Sequence, residues 1–238
     1  MYNNNIFYTA VKHMTVTEAI KERHSVRTYT DKPIEKEKAD ALRALADECN
    51  RISGLHFQII TDEPQGFTGF WAHYGKITGV KNYIVVAGVP GKEIEAGYYG
   101  EKLVLKAQLL GLNTCWVALT FSKRKAKKHY ELASGEKLYL VIALGYGQIQ
   151  GHPHKSKDIH EIADITDSSP EWYKNGIEAV LLAPTAINQQ KFNFCLDGEK
   201  VIASPGSGVH TKIDLGIAEY HFDIGSDRNN FGFEREIL

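Results

Sequence analysis

The chain has few of the features that mark secreted, membrane-spanning or nucleic-acid-binding proteins. Its 238 residues include three cysteines, an odd number with no CxxC pair, which argues against a disulfide scaffold and a structural zinc site. Its longest apolar stretches have the length of a strand, far short of the ~20 residues that a membrane helix needs. Lys and Arg number 28 against 29 Asp and Glu, so no overall positive charge favours nucleic acid or an anionic membrane.

The composition that is present is typical of a globular protein, with 43% hydrophobic and 24% charged residues. Residues 1–13 contain no apolar run followed by a small-residue cleavage site, so we expect no signal peptide. These observations predict a soluble, cytoplasmic protein of one large or two small domains. Any positively charged site must be local.

Alternating helix and strand signals predict a mixed α+β chain. Thr15 and Glu18 have the spacing of a capping box, which predicts a helix over 16–22. Further helices are predicted from Pro33 onward and over 97–110, 123–132, 171–183 and 212–223. Strands are predicted over 54–60, 83–87, 113–119 and 137–146, with Gly-rich loop over 61–80. The Asp197-Gly198 turn predicts a hairpin over 192–202.

Three segments carry side chains suited to a ligand. Residues 22–29 place Arg23 and Arg27 four positions apart with a hydroxyl between them, and guanidinium groups suit phosphate or a carbonyl-rich ring edge. Residues 183–190 favour a defined turn that can hydrogen-bond a planar polar ring. Residues 151–157 form a local cationic loop. The first two segments also have plainer interpretations, a solvated charged turn and a helix-to-strand turn without a ligand.

Four motifs together resemble those of the nitroreductase family of FMN enzymes. They are RHSVRTY over 23–29, LLGLNTCWV over 109–117, LGYG with HPHKSK over 144–157, and APTAINQQKFNF over 183–194. The resemblance implies an α+β fold with a central, mostly antiparallel sheet flanked by helices. It also implies FMN as the cofactor.

The order of the motifs departs from that of the family. There, the segment that matches 183–194 follows the arginine motif closely and reaches the flavin from the partner subunit. The resemblance therefore implies two fused, degenerate half-domains, a first over 1–165 on the phosphate side and a second over 166–238 that completes one flavin site. Such a chain would be a monomer that acts as an internal pseudo-dimer. Each half also runs from a helix to a strand (residues 55–59 and 191–195) and then to a later helix; apart from the resemblance, ordinary α+β alternation explains this order equally well.

Several residues are assigned by the resemblance to the phosphate end of FMN. Arg23 would bind the phosphate together with Lys155 and Lys157. Ser25 would bond the ribityl chain or the phosphate, and His24 would assist through its backbone or ring.

The resemblance assigns a second group of residues to the isoalloxazine ring. Arg27 would lie at the pyrimidine end, where positive charge stabilises the reduced flavin. Lys76 matches a position near the pyrimidine loosely. The residues expected along the ring are Trp116, Val117, Ala118, Leu119, Pro184, Thr185, Ala186, Asn188 and Gln190.

The function implied is FMN-dependent reduction of nitroaromatics, quinones or similar acceptors with NAD(P)H, by ping-pong hydride transfer. No catalytic side chain is expected, because the flavin carries the chemistry. No metal site is expected, because His152, His154 and His160 lie in a loop without ligand spacing and suit a surface better. Two alternatives stay open: a flavin-binding protein without turnover, serving storage, sensing or regulation, and a scaffold that has lost the flavin and acts by protein interaction.

Overall fold

The structure is a computed structural model that describes residues 14–68, 75–228 and 233–235. Residues 1–13, where no signal peptide is expected, lie outside these ranges, as does part of the predicted 61–80 loop. The described residues contain six α-helices: α1 (Val16–Glu22), α2 (Lys36–Ser53), α3 (Glu93–Leu109), α4 (Lys123–Ala126), α5 (Glu171–Val180) and α6 (Thr211–Gly225). They contain seven strands: β1 (His56–Ile60), β2 (Asn82–Gly88), β3 (Asn113–Val117), β4 (Lys137–Gly145), β5 (Phe192–Asp197), β6 (Lys200–Pro205) and β7 (Glu234–Arg235).

The larger sheet has the order β1-β2-β4-β3, and all of its pairings are antiparallel. Every residue of β2 is buried, because the strand has hydrophobic packing on both faces. Ile84 and Val86 pack towards the helices α2 and α3, whereas Tyr83 and Val85 pack on the opposite face. This explains the continuous apolar run in the sequence and confirms the predicted α+β fold with an antiparallel sheet.

The C-terminal segment shares the core of the larger sheet. Tyr173 of α5, Phe194 of β5 and Phe222 of α6 are fully buried and belong to the same cluster as Leu103 and Ile142. Strands β5, β6 and β7 form a separate three-stranded sheet against α6. Residues beyond 165 therefore pack directly on the first sheet's helix layer, while their description as a degenerate second half stays a prediction.

Helices α3 and α6 cross in close contact. A Cβ added to Gly97 would lie 2.0 Å from the carbonyl oxygen of Ile213, and one added to Gly216 would lie 1.9 Å from that of Ile94. Both distances are too short for any side chain, so the backbones meet through glycine at both positions. The crossing fixes α6, and the loop before it, against the rest of the fold.

One helix is much shorter than the sequence predicts. The prediction extended over 123–132, but α4 ends at Ala126. Lys123 and Lys127 stand four residues apart, as do Arg124 and Lys128, and like charges at this spacing destabilise a helix. The other predicted helices differ mainly at their ends, with α3 beginning at Glu93 rather than at residue 97.

Candidate functional site

The arginine motif follows α1 as an extended strand-like segment. Thr15 and Glu18 form the predicted capping box, and the helix ends at Glu22, followed by the C-cap residue Arg23, whose backbone is already extended. The amide of Val26 donates to the carbonyl of Thr114 at 3.0 Å, and the amide of Tyr29 donates to that of Thr78 at 3.0 Å. These bonds bury Val26 and Tyr29 in the core and fix the intervening side chains along one edge of the larger sheet.

The opposite wall is the turn between α5 and β5. This turn has left-handed φ angles at three residues that are not glycine: 49° at Ile187, 57° at Asn188 and 45° at Gln190. Such backbone strain persists only where surrounding contacts hold it. Asp214 of α6 supplies two of these contacts, since Oδ1 accepts from the amide of Ala186 at 2.9 Å and Oδ2 from the side chain of Gln189 at 2.7 Å.

These two walls enclose a polar cavity of about 560 Å³. It is lined by two arginines, three histidines and no carboxylate, which gives it a positive character. The lining residues are Arg23, His24, Ser25, Val26, Arg27, Thr28, Ile149, Gly151, His152, His154, Pro184, Thr185, Ile187 and Asn188.

A second, more apolar cavity of about 270 Å³ shares a wall with the first. Five residues line both cavities: Ser25, Arg27, Pro184, Thr185 and Ile187. The remaining lining of the second cavity is Cys115, Trp116, Val117, Ala118, Leu119, Thr120, Leu140, Ala186, Val209, His210, Ile213, Asp214 and Ile217. The cleft therefore has a cationic end and an apolar end.

The structure brings together twelve of the sixteen residues predicted for the site. They are Arg23, His24, Ser25, Arg27, Trp116, Val117, Ala118, Leu119, Pro184, Thr185, Ala186 and Asn188. Arg27 is exposed and makes no ion pair with a described residue, so its guanidinium group is available to a ligand.

The other four predicted residues do not line the cleft. The ammonium group of Lys157 donates to the carbonyl oxygen of Gln190 at 3.0 Å, and its amide donates to the side chain of Gln190 at 2.9 Å. Gln190 is buried, and its side chain also donates to the carbonyl of Lys155. Lys155 and Lys76 are exposed outside both cavities. Lys157 and Gln190 thus act within the protein, as supports for the strained turn.

A buried charged cluster lies behind the arginine motif. Arg23 is 4% exposed, and its Nε lies 3.6 Å from a carboxylate oxygen of Glu101 on α3. The same carboxylate accepts from Nε1 of Trp116 at 2.9 Å and contacts Nε2 of His221 at 3.0 Å. Burial lowers the pKa of Arg23, and the negative charge of Glu101 opposes that shift. Glu101 thereby joins Arg23 of the first wall to Trp116 of β3 and His221 of α6.

Sequence reasoning missed several lining residues. His152 is exposed, as expected of a surface histidine, and His154 is half-buried, but both also line the polar cavity, and Cys115, Asp214 and Ile187 line the cleft as well. These histidines lie in a loop without regular secondary structure, so they carried no local signal of the direction in which they face. Asp214 had none, because its partners lie in another segment of the chain.

The comparisons with known proteins bear on this cleft. A family profile described as "Putative TM nitroreductase" matches residues 15–226. The chain belongs to this family. The match includes both walls of the cleft and all sixteen predicted site residues. A comparison with curated protein sequences gives no match.

Solved structures show the same fold. A structure from Thermotoga maritima MSB8, described as a "putative nitroreductase", is 21% identical with a TM-score of 0.66, covering 94% of this chain and 88% of that one. One from Desulfovibrio desulfuricans with the same description, in complex with FMN, has 17% identity and a TM-score of 0.52 over 65% of this chain and 98% of its own. A nitroreductase family protein from Streptococcus pneumoniae TIGR4 is 14% identical, with a TM-score of 0.50 over 64% of this chain and all of its own.

Within residues 14–68, 75–228 and 233–235, no helix is long and apolar enough to cross a membrane. No group of three or more His, Cys, Asp or Glu within the same ranges is arranged to hold a metal ion. All three cysteines, Cys49, Cys115 and Cys195, are free thiols.

Proposed function

We propose that the chain is an FMN-dependent oxidoreductase that uses NAD(P)H to reduce nitroaromatics, quinones or similar acceptors. The observation that carries the proposal is the two-part cleft, in which a cationic cavity and an apolar cavity share five lining residues, among them Ser25 and Arg27. This division matches a ligand with a charged phosphate at one end and an aromatic ring system at the other. Membership of the nitroreductase family supports the same assignment.

The residues present fit FMN. The larger cavity offers guanidinium and imidazole groups with no competing carboxylate, which suits a phosphate dianion. The smaller cavity offers mostly apolar side chains. Its one lining carboxylate, Asp214, has both oxygens occupied by Ala186 and Gln189, so it does not face an aromatic ligand as a free charge.

The roles of the chain's own residues follow from their places. Arg23 would bind the phosphate, held from behind by Glu101, and Ser25 would bond the adjoining ribityl chain. Arg27 would lie near the pyrimidine edge of the ring, where its charge favours the reduced form. When bound, FMN would accept a hydride from NAD(P)H and pass reducing equivalents to the acceptor. No side chain is needed as a general acid.

We also propose that one chain forms one complete site and acts as a monomeric pseudo-dimer. Its first wall comes from residues 23–28 and its second from residues 184–188, on either side of the proposed division at residue 165. Shorter chains of this fold match only about two thirds of this chain, 64% and 65% in the two cases above. The proposal predicts one FMN per chain and a monomer in solution, measured by absorbance and light scattering.

The absorbance spectrum of the purified protein, before and after addition of FMN, tests the proposal. We expect a flavin spectrum and oxidation of NADH or NADPH in the presence of a nitrofuran or menadione. Bound flavin that neither nucleotide reduces would instead identify a flavin-binding protein without turnover. A protein that takes up no FMN would refute the proposal altogether.

A further inference from the structure

Imidazole rings, rather than ammonium groups, accompany the arginines in the polar cavity. His24 lies directly after Arg23, and His152 and His154 come from the loop that follows β4. The ammonium group of Lys157 is bound to the carbonyl of Gln190 instead. The charge of this cavity therefore depends on groups that titrate near neutral pH, unlike lysine and arginine.

The hydrogen bonding of His154 shows what protonation would change. Its Nε2 lies 3.0 Å from the carbonyl oxygen of Leu181, which can only accept, so Nε2 carries the proton of the neutral ring. Nδ1 then carries a proton only in the imidazolium form. The ring therefore gains a second donor and a positive charge in the same step.

The surroundings of His154 oppose this protonation in the absence of an anion. Burial lowers the pKa of His154 most, and the charges of Arg23, His221 and His24 lower it further. The hydrogen bond to the carbonyl of Leu181 acts in the opposite direction. A phosphate dianion in the cavity would reverse the balance, because a nearby negative charge favours the charged ring.

His24 is placed in the same way. Burial lowers its pKa first, and the adjacent charge of Arg23 and the ring of His152 lower it further. The carboxylate of Glu22 raises it, as does a backbone contact at Arg23. The charge of Arg23 thus disfavours protonation of both His24 and His154, and one bound anion would favour protonation of both rings.

We infer that His24 and His154 form a proton-linked phosphate site, so that a phosphate group entering this cavity brings protons with it. The inference rests on the proposed function, in which that phosphate belongs to FMN. For each proton taken up, the affinity for FMN rises by up to ~10-fold with each unit by which the pH falls, over the range in which that proton titrates. The protein should therefore hold FMN more tightly as the pH falls from 8.0 to 6.5, whereas riboflavin, which has no phosphate, should show no such trend.

The first experiment uses the unmodified protein. FMN and riboflavin are titrated calorimetrically at pH 7.5 in buffers of different ionisation enthalpy, because the dependence on buffer reports the protons taken up. At that pH a phosphate monoester, with its second pKa near 6, is already mostly dianionic. We expect measurable proton uptake with FMN and none with riboflavin; equal uptake by the two ligands, or none by either, would refute the inference.

Inorganic phosphate serves as a third ligand, because the same chemistry could bind a free anion. FMN should bind far more tightly than inorganic phosphate and should exclude it. Phosphate binding that persists on the FMN complex would place the anion site elsewhere and contradict the assignment.

The second experiment compares H24Q/H154Q with H160Q, a control whose exposed ring lies in the same loop as His154 but outside the cavity. We expect the double variant to lose most of the difference in FMN affinity between pH 6.5 and 8.0, while H160Q keeps it. An unchanged pH dependence in a double variant that still binds FMN would refute the proton link. Absence of FMN binding by the unmodified protein at every pH would refute the proposed function instead, so the two failures are distinct.

Discussion

The carboxylate of Glu101 lies 3.0 Å from Nε2 of His221, and neither side chain has exposed surface. Glu101 comes from the middle of α3 and His221 from the last third of α6, so the contact joins elements that are far apart in sequence. Nδ1 of His221 faces the carbonyl of Ala179 at 3.0 Å, which orients the ring. The contact places a fixed negative charge directly behind Arg23.

Replacement of Glu101 by glutamine should destabilise the protein and weaken FMN binding. Removal of one partner from a buried charged pair costs about 3–5 kcal/mol, because the remaining charge is left without compensation. We expect the free energy of unfolding, measured in urea, to fall by about 3 kcal/mol, and FMN affinity to fall more than riboflavin affinity. E95Q, on the same helix but only partly buried, is the control, and equal stability of the two variants would contradict the role of Glu101.

Replacement of Arg27 by alanine should weaken FMN binding without unfolding the protein. Arg27 is exposed on the wall shared by the two cavities, and loss of a charge-assisted hydrogen bond costs about 1.5 kcal/mol, or roughly tenfold in affinity. A fluorescence titration with FMN measures the change. R51A, which alters an exposed arginine of α2 outside the cleft, should bind normally, and normal binding by R27A would remove Arg27 from the site.

Replacement of Lys157 by methionine should reduce FMN and riboflavin affinity by the same factor. Its ammonium group supports the strained turn through the carbonyl of Gln190, so its loss disturbs the ring-binding wall for both ligands. Loss of one such bond, about 1 kcal/mol, corresponds to roughly fivefold. K155M is the matched control, with the side chain exposed outside the cavities. A loss confined to FMN would restore the phosphate-binding role that the sequence predicts for Lys157.

Stability should fall as the pH rises through the titration range of Asp214. Burial raises the pKa of Asp214 to about 6, whereas an unfolded aspartate titrates near 3.9. The folded state therefore holds the proton to higher pH, and the free energy of unfolding decreases between about pH 4 and pH 6 and stays low above. The size of the shift corresponds to roughly 2–3 kcal/mol.

The variant D214N should abolish this part of the pH dependence. Urea unfolding of D214N and of the unmodified protein at pH 4.5 to 7.5 measures the difference. D167N, which changes an exposed aspartate, should keep the original slope. Parallel pH profiles for D214N and the unmodified protein would show that Asp214 does not contribute as stated.

Replacement of Gly216 by alanine should severely destabilise the fold. The added Cβ would meet the carbonyl of Ile94 at 1.9 Å, and the backbone of α3 cannot move away without breaking its own packing. We expect a loss of several kcal/mol or an insoluble protein, assessed by thermal unfolding and solubility. K212A, at an exposed position of the same helix, should behave normally; a stable G216A would show that the crossing is less tight than described.

Local chemistry made much of the fold predictable. Helix α1, predicted from the capping box of Thr15 and Glu18, has the bounds that the prediction gives. The apolar run from Tyr83 forms a buried strand, also as predicted. The hairpin formed as the Asp197-Gly198 turn predicts. Helix α4 was predicted too long, because propensity alone does not weigh the repulsion among its closely spaced cations.

The site residues could be predicted where they belong to contiguous motifs, and not where tertiary packing brings them together. Arg23, Arg27 and the residues of 184–188 belong to contiguous motifs, so a resemblance could locate them. Glu101 and His221 had no local sequence signal, because they contact each other across 120 residues of sequence. Lys157 was expected to line the phosphate site and His154 to lie on the surface, whereas the structure shows His154 in the cavity and Lys157 outside it. The composition of a loop does not tell which of its side chains face a cavity.

The late position of the second wall has a consequence for biosynthesis. Residues 184–188 are supported by Asp214 on α6, and α6 is fixed by its glycine crossing with α3. A nascent chain can therefore complete its cleft only after Gly225 has left the ribosome exit tunnel. A ligand that contacts both walls could then be captured only after α6 has packed against α3.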